Sequence, residues 1–352
     1  MARPPRGDGC DVRIPTGGGR PGVRNGTGAG LFSGPHRKGV AVSLCIVAGS
    51  ANPKLAEAVA AGVGTVAMRS RLERFPDGEL CPVVGPMRGD DVYVFQPTTP
   101  PVNEHLMELA LLLDACRRSG STRVTAVVPY VGYARQDRRS RPGQAIGARV
   151  AADILAAAGA DRIIVVDPHT SGFEATCSIP VEVLTAAPVL ITALRSRGTG
   201  RSVVVAPDLG AVKLAERFAA ALGLPVAVVR KSRLSGTSVR AEELVGDVEG
   251  CLPIIVDDMI STGSTIEATA RLLESHGTLP QMVVAATHAL LLEAAPERLD
   301  QLPLARLLVT DTVAIPSNAL PNLEVCSVAA LLSDAIGRLH REEPLDDLAR
   351  FE

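Results

Sequence analysis

The chain has 352 residues, with 36 Lys and Arg against 38 Asp and Glu, a formal net charge of −2. That balance excludes a protein that wraps nucleic acid through a basic footprint, and 3 Tyr, 6 Phe and no Trp exclude a base-stacking platform. No apolar run reaches the roughly 18 residues that a membrane span needs, whereas the length and 46% apolar content suit two ordinary globular domains.

Residues 1–42 hold 11 Gly, 5 Pro, seven basic and two acidic residues. Such a stretch buries too little apolar surface to offset its ordering entropy, so it is predicted to be disordered. It lacks the apolar core of a secretory signal. A transit peptide and an upstream start, with the protein proper beginning near Val42, are both open readings. Seven scattered cysteines (Cys10, Cys45, Cys81, Cys116, Cys177, Cys251 and Cys326) form no CxxC pair. They predict reduced, structural thiols and a cytoplasmic protein rather than a disulfide framework or zinc finger.

From Ser43 onward short apolar runs alternate with Ala- and Leu-rich stretches. Strands are predicted at Val92–Gln96, Val124–Pro129, Ile163–Asp167, Val203–Ala206, Val226–Val229, Ile254–Asp257, Val283–Ala286 and Leu307–Val309. Continuous apolar runs of this length suit parallel strands covered on both faces. Helices are predicted at Glu104–Arg118, Ile146–Ala158, Ala211–Leu222 and Ser264–His276, several closed by a glycine such as Gly120, Gly159, Gly223 or Gly277. The fold class is therefore α/β, with two doubly wound units built on parallel sheets. In such sheets ligands bind beyond the C-terminal strand ends.

The most informative strand end is Ile254-Ile-Val-Asp-Asp-Met-Ile-Ser-Thr-Gly-Ser-Thr265. A buried strand runs into Asp257 and Asp258, then into a hydroxyl-rich loop, then into a helix. Ser261, Thr262, Gly263, Ser264 and Thr265 can offer N–H groups and hydroxyls to a phosphate at a helix N-terminus. The two acids can accept hydrogen bonds from the vicinal hydroxyls of a ribose. Paired acids at the end of a buried strand are costly without a ligand, which favours a ribose-phosphate cradle over a merely capped helix. Lys231 and Arg233, one residue apart after an apolar strand, lie on the same side of an extended segment, where they can clamp phosphate oxygens. His169 follows the run Ile163–Val166 and Asp167-Pro168 at another strand end. No HxH, HExxH or CxxC spacing marks a permanent transition-metal site.

The cradle segment resembles the phosphoribosyl motif shared by type I phosphoribosyltransferases and phosphoribosyl-pyrophosphate (PRPP) synthetases. Further segments, in order, are Phe75-Pro-Asp-Gly-Glu79, Tyr133-Ala-Arg-Gln-Asp-Arg-Arg139, Asp167-Pro-His169, Ala206-Pro-Asp-Leu-Gly210, Arg230-Lys-Ser-Arg-Leu234 and Leu244-Val-Gly-Asp-Val248. This ordered set, over about Cys45 to His340, resembles the ribose-phosphate diphosphokinase (PRPP synthetase) family. The resemblance implies two phosphoribosyltransferase-like domains, 43–183 on the ATP side and 184–338 on the ribose 5-phosphate side. Tails of 1–42 and 339–352 flank them. It implies transfer of the diphosphoryl group of MgATP to the C1 hydroxyl of ribose 5-phosphate, giving PRPP and AMP.

By the same resemblance, Arg135 and Gln136 contact ATP. Phe75, Asp77 and Glu79 form a loop that reaches a neighbouring subunit's adenine site, which implies a homo-oligomer, a dimer or a hexamer built from dimers. His169 and Asp208 meet the divalent metal, expected to be Mg²⁺ that arrives with the nucleotide, and His169, Lys231 and Arg233 are catalytic. Arg233, Asp257, Asp258 and Ser261–Thr265 bind ribose 5-phosphate. Ser261 stands where the commonest loop has a third acid, and Ser264 where it has Gly. That version, with Pro142-Gly-Gln-Ala-Ile146, Arg233-Leu-Ser and Thr310-Asp-Thr312, is closer to archaeal-type members. Ser140-Arg-Pro-Gly143 replaces a regulatory set of the bacterial and animal form, so ADP is expected to act mainly by competing with ATP. The alternatives are a non-catalytic PRPP-synthetase-associated paralogue, which would typically have a disrupted catalytic loop, and a type I phosphoribosyltransferase, which needs only one such domain.

Overall fold

The computed structural model describes residues 42–195, 200–233, 239–316 and 319–349, with the backbone alone for 171, 231–233 and 239–242. The predicted tail at 1–42 therefore lies almost wholly outside the described residues.

In chain order, the first half runs β1 (Leu44–Ala48), α1 (Pro53–Gly62), β2 (Met68–Arg69), β3 (Arg71–Arg74), β4 (Leu80–Val83), β5 (Asp91–Phe95), α2 (Val102–Arg118), β6 (Arg123–Val128), α3 (Gly147–Ala157), β7 (Arg162–Val166) and β8 (Val181–Leu184). Six of these strands form an all-parallel sheet in the order β2-β1-β5-β6-β7-β8. The second half runs α4 (Ala187–Arg195), β9 (Ser202–Ala206), α5 (Val212–Leu222), β10 (Val226–Arg233), β11 (Val239–Val245), β12 (Leu252–Ile260), α6 (Ser264–Ser275), β13 (Met282–Ala289), α7 (Ala295–Asp300), β14 (Leu304–Thr310), β15 (Leu323–Cys326) and α8 (Ala329–His340). Its seven-stranded sheet has the order β11-β10-β9-β12-β13-β14-β15, with only β10 and β11 antiparallel.

The predicted strands and helices are present, and the reason is burial. β5, β9 and β13 are buried along their whole length, because parallel neighbours and helices on both faces leave no side to solvent. β12 extends to Ile260, past the expected end at Asp257, because Met259 and Ile260 still pair with His288 and Ala289 of β13. Gly223 closes α5 in the left-handed conformation, φ +68°, which a β-carbon would resist.

Helix α8 follows the second sheet in sequence but packs on the first. Leu332, Ala335, Ile336 and Leu339 share one apolar cluster with Ile46, Leu55, Val59 and Tyr93. At Gly62 a β-carbon would come within 2.2 Å of Ser333 Oγ, so α1 and α8 meet where a side chain has been dispensed with. Beneath them Asp91, 2% exposed, accepts hydrogen bonds from Arg123 Nε at 2.8 Å and Nη2 at 2.6 Å, and from His340 Nδ1 at 2.8 Å. Arg123 Nη2 also donates to the Leu339 carbonyl at 3.1 Å, so one ion cluster staples the last helix to the first sheet. No helix among the described residues is long and apolar enough to cross a membrane. The described cysteines are free thiols, and burial pushes Cys116 up to about 12, as inert structural thiols require.

Candidate active site

The second sheet grows outward from β9 in both directions. The chain adds β10 on one side and later β12 on the other, so the β9/β12 edge is a topological switch point where a crevice opens. A cleft of about 640 Å³ lies there. Loops after β9 and β12 line one wall. Loops after β6 and β7, at the C-terminal edge of the first sheet, line the other. The corresponding crevice of the first sheet, between β1 and β5, is filled instead. Buried Glu108 accepts from Ser50 N at 2.8 Å and Gln96 Nε2 at 2.7 Å, and Gln96 packs where a β-carbon on Gly49 would sit.

On the second-sheet wall stand Asp257, Asp258 and the whole of Ser261–Thr265. Gly263 takes φ +74° at the N-cap of α6, and no side chain caps the first turn. Helix α7 buttresses this loop. Leu299 packs beneath Gly263, and Arg298 donates to the Thr262 carbonyl while pairing with Glu267 of α6 at 2.9 Å. Asp257 accepts from Asp258 N at 2.9 Å. Burial, then the Asp258 charge, pushes the Asp257 carboxyl well above the usual carboxylate range. A diol donating hydrogen bonds to it would offset that cost.

Asp258 has a partner that sequence spacing does not reveal. Its Oδ2 lies 2.6 Å from His169 Nδ1, across 89 residues and between the two sheets. Burial alone would raise Asp258, but the hydrogen bond and charge of His169 hold it below the ordinary value. The same hydrogen bond raises His169 against its own burial. With Nδ1 engaged, Nε2 is the ring nitrogen left for a ligand in the cleft.

Arg135 and Gln136 lie on the first-sheet wall with His169. Gln136 is seated against the start of α3, where a β-carbon on Gly147 would lie 2.8 Å from its Oε1. Asp208, after β9, accepts from Gly210 N at 2.9 Å and Ala211 N at 3.2 Å, so its carboxylate starts the turn that leads into α5. Among the described residues no group of three or more His, Cys, Asp or Glu is assembled to hold a metal ion. An imidazole and one carboxylate on opposite walls fit Mg²⁺ that brings phosphate and water ligands with it.

Phe75, Asp77 and Glu79 do not line this cleft. They form the turn of the β3–β4 hairpin, with Phe75 47% exposed and Asp77 Oδ1 accepting from Glu79 N at 3.1 Å. Lys231 and Arg233 end β10, paired in backbone with Ala241 and Val239 past a bulge at Arg230/Lys231. Their side chains, and the loop 234–238, lie outside the described residues.

Several lining residues escaped the sequence reading. Arg138 is in the cleft, whereas a charge run alone could not separate it from Arg139 and Arg141. Thr170 has its hydroxyl buried with no partner among the described residues. Thr287 reaches the cleft from β13, and its signal was the polar pair Thr287-His288 ending an apolar strand.

The comparisons agree with this fold. The family model for the N-terminal domain of ribose phosphate pyrophosphokinase matches residues 44–159, and that for the phosphoribosyl synthetase-associated domain matches 236–350. The chain is 39% identical over 310 residues to a ribose-phosphate pyrophosphokinase of Gloeobacter violaceus, covering 87% of this chain and 93% of that one. It is 40% identical over 312 residues to that of Rhodopirellula baltica, covering 87% and 98%. The crystal structure of phosphoribosylpyrophosphate synthetase from Mycobacterium smegmatis superposes with a TM-score of 0.79 at 36% identity, covering 85% of this chain and 99% of that one. Two α/β sheets meeting at one cleft, and matches that span both, make this chain a member of the ribose-phosphate pyrophosphokinase (PRPP synthetase) family of enzymes.

Proposed function

We propose that this enzyme transfers the β,γ-diphosphoryl group of MgATP to the C1 hydroxyl of ribose 5-phosphate in the cytoplasm, releasing PRPP and AMP. The observation that carries this reading is the two-walled cleft, with Arg135, Gln136 and His169 facing a phosphate loop and an acid pair. The loop Ser261–Thr265 receives the 5-phosphate on the uncapped N-terminus of α6. Asp257 and Asp258 accept from the ribose hydroxyls. Arg135 and Gln136 hold the nucleotide, and His169 and Asp208 would hold Mg²⁺, which when bound would neutralise phosphate oxygens.

The C1 oxygen forms a bond to the β-phosphorus. The bond from that phosphorus to the oxygen bridging to the α-phosphorus breaks, AMP leaves with the bridging oxygen, and the hydroxyl proton passes to solvent. Such a transfer needs alignment and charge neutralisation more than covalent work by the protein, the task read for Lys231 and Arg233. We read the domains as 43–183 and 184–338, a sheet in each, although helix α8 of the second packs on the first sheet. In a homo-oligomer, a dimer or a hexamer built from dimers, Phe75, Asp77 and Glu79 serve a neighbour's ATP site. The test is incubation with ATP, Mg²⁺ and ribose 5-phosphate, with products identified by mass. Stoichiometric AMP and PRPP, absent when either substrate is left out, are expected. Consumption of PRPP with a nucleobase and no AMP formation would defeat the reading.

A further inference from the structure

The turn that carries His169 into the cleft rests on an uncommon backbone. Asp167 has φ +38°, a left-handed conformation that a residue with a β-carbon keeps only where its surroundings hold it. Those surroundings come from the end of β8 and from β13 of the other sheet. Thr287 Oγ1 donates to Asp167 Oδ2 at 2.8 Å, and the same oxygen accepts from Ala186 N at 2.9 Å. His288, next along β13 and 2% exposed, has Nε2 3.2 Å from the Asp167 carbonyl oxygen and Nδ1 2.9 Å from Thr312 Oγ1.

These partners fix the tautomer. A carbonyl only accepts, so Nε2 carries the proton and Nδ1 accepts. The Thr312 hydroxyl lies between His288 Nδ1 and the Thr287 carbonyl, 3.2 Å away, which also accepts from the Thr310 hydroxyl at 2.6 Å, so the Asp167 carbonyl alone requires the Nε2 proton. Burial favours the neutral ring, in keeping with that assignment. The Tyr130 ring stands edge-on to the imidazole at 5.2 Å and completes its packing. His288 does not line the cleft, yet its only donor is spent on the residue two before His169.

We propose that His288 is a positioning residue: through Nε2–H on the Asp167 carbonyl, the second sheet fixes the turn of the first that presents His169 to the metal–nucleotide. The proposal rests on the reading of His169 as a contact to that ligand. Misplacing a group by about 1 Å costs on the order of 100-fold in rate, so a hydrogen bond remote from the chemistry can control it.

The test replaces His288 by Gln, Asn and Phe. Gln sets an N–H where Nε2 was. Asn sets its amide at the Nδ1 position and falls short of Asp167. Phe keeps the ring volume and the packing on Tyr130 without a polar atom. The measurements are kcat, both KM values, calorimetric binding of the α,β-methylene analogue of MgATP, and the His169 ring signals by NMR in the ligand-free enzyme. The Gln enzyme should stay within about threefold of the parent, while Asn and Phe lose about 10- to 100-fold in kcat and analogue binding. The His169 signals should move in those two variants, with the KM for ribose 5-phosphate, whose site His169 reaches only through Asp258, rising less than that for MgATP. A Phe or Asn enzyme that matches the Gln enzyme makes His288 a core filler and overturns the proposal. If Phe and Asn do not fold, Thr287→Val loosens the same turn and must shift the same constants; unchanged constants there also overturn it. His169→Ala separates the two ideas, because normal binding and turnover in that variant would defeat the reading of the site itself.

Discussion

Lys231 and Arg233 are the residues on which the proposed chemistry leans most. As the α–β phosphate linkage breaks, charge shifts onto the diphosphoryl group and the departing AMP. Two cations there should matter more in the transition state than in the ground state. Lys231→Ala and Arg233→Ala should each lower kcat about 10²–10³-fold, with smaller changes in either KM and an unchanged melting temperature. Arg233→Lys should also lose activity, because an ammonium cannot reproduce the guanidinium fork. Near-normal turnover in both alanine variants would make the stretch an ordinary basic turn. A second residue-scale prediction concerns Asp91. Burial would raise it, but Arg123 and His340 hold it below the usual value. A carboxylate with a depressed native pKa adds stability that is full above its unfolded value of about 4 and is lost as pH falls through the native one. Asp91→Asn should therefore cost about 3–5 kcal/mol at pH 7, by leaving Arg123 without its carboxylate, and less toward pH 2. Urea unfolding from pH 7 to pH 2 checks this, and a pH-independent loss would refute it. Sequence made Asp257 legible because acids ending a buried strand ask for a ligand. It could not show the bond from Asp258 to His169, since that pairing exists only once two sheets face each other.

Among the elements, α7 has an influence out of proportion to its six residues. Its Arg298 holds the Thr262 carbonyl and Glu267, and its Leu299 supports the left-handed Gly263. A charge-assisted hydrogen bond of about 1.5–3 kcal/mol stands behind the loop, so Arg298→Met should raise the KM for ribose 5-phosphate about tenfold or more. The KM for MgATP should stay within twofold of the parent. Steady-state kinetics with each substrate varied in turn decides it, and equal changes in both constants would mean general loosening. The longer elements were readable because continuous apolar runs and glycine stops announce them, as at β13 and α5. Helix α7 was not, because six residues carry too little periodicity to stand out. The hairpin β3–β4 was not, because Arg71-Leu-Glu-Arg74 is mostly charged and Leu80-Cys-Pro-Val83 carries a proline within only four residues. Nor could periodicity tell which sheet α8 would join, since an amphipathic helix shows that it has a buried face but not what covers it.

At the scale of the whole molecule, the hairpin tip is the feature that one chain does not explain. Phe75 is exposed and away from the cleft of its own chain, so a neighbour's nucleotide is where it is proposed to act. Phe75→Ala and Arg135→Ala should each be poorly active alone. If the tip serves a partner's site, oligomers reassembled from the two variants contain some sites that carry both intact parts. Mixing after dissociation should then restore a substantial share of parental activity, about a quarter for random dimers with symmetric interfaces. No recovery, in oligomers proven to be mixed by mass, would sink the shared site.

The return of α8 to the first sheet also bears on how the chain is made. Val59 and Ser333 touch across 274 residues of sequence. At ordinary elongation rates of about 5–20 residues per second, α1 emerges on the order of 10–60 s before the helix that covers it. Throughout that interval Leu55 and Val59 lack their cover, and the nascent first half is a natural client for holding chaperones. The same arrangement suggests a rearranged gene. Leu44 and His340 line one groove between α1 and α8. Translating α8 ahead of β1 through a short linker would deliver the two surfaces together and shorten the time the growing chain spends half clothed.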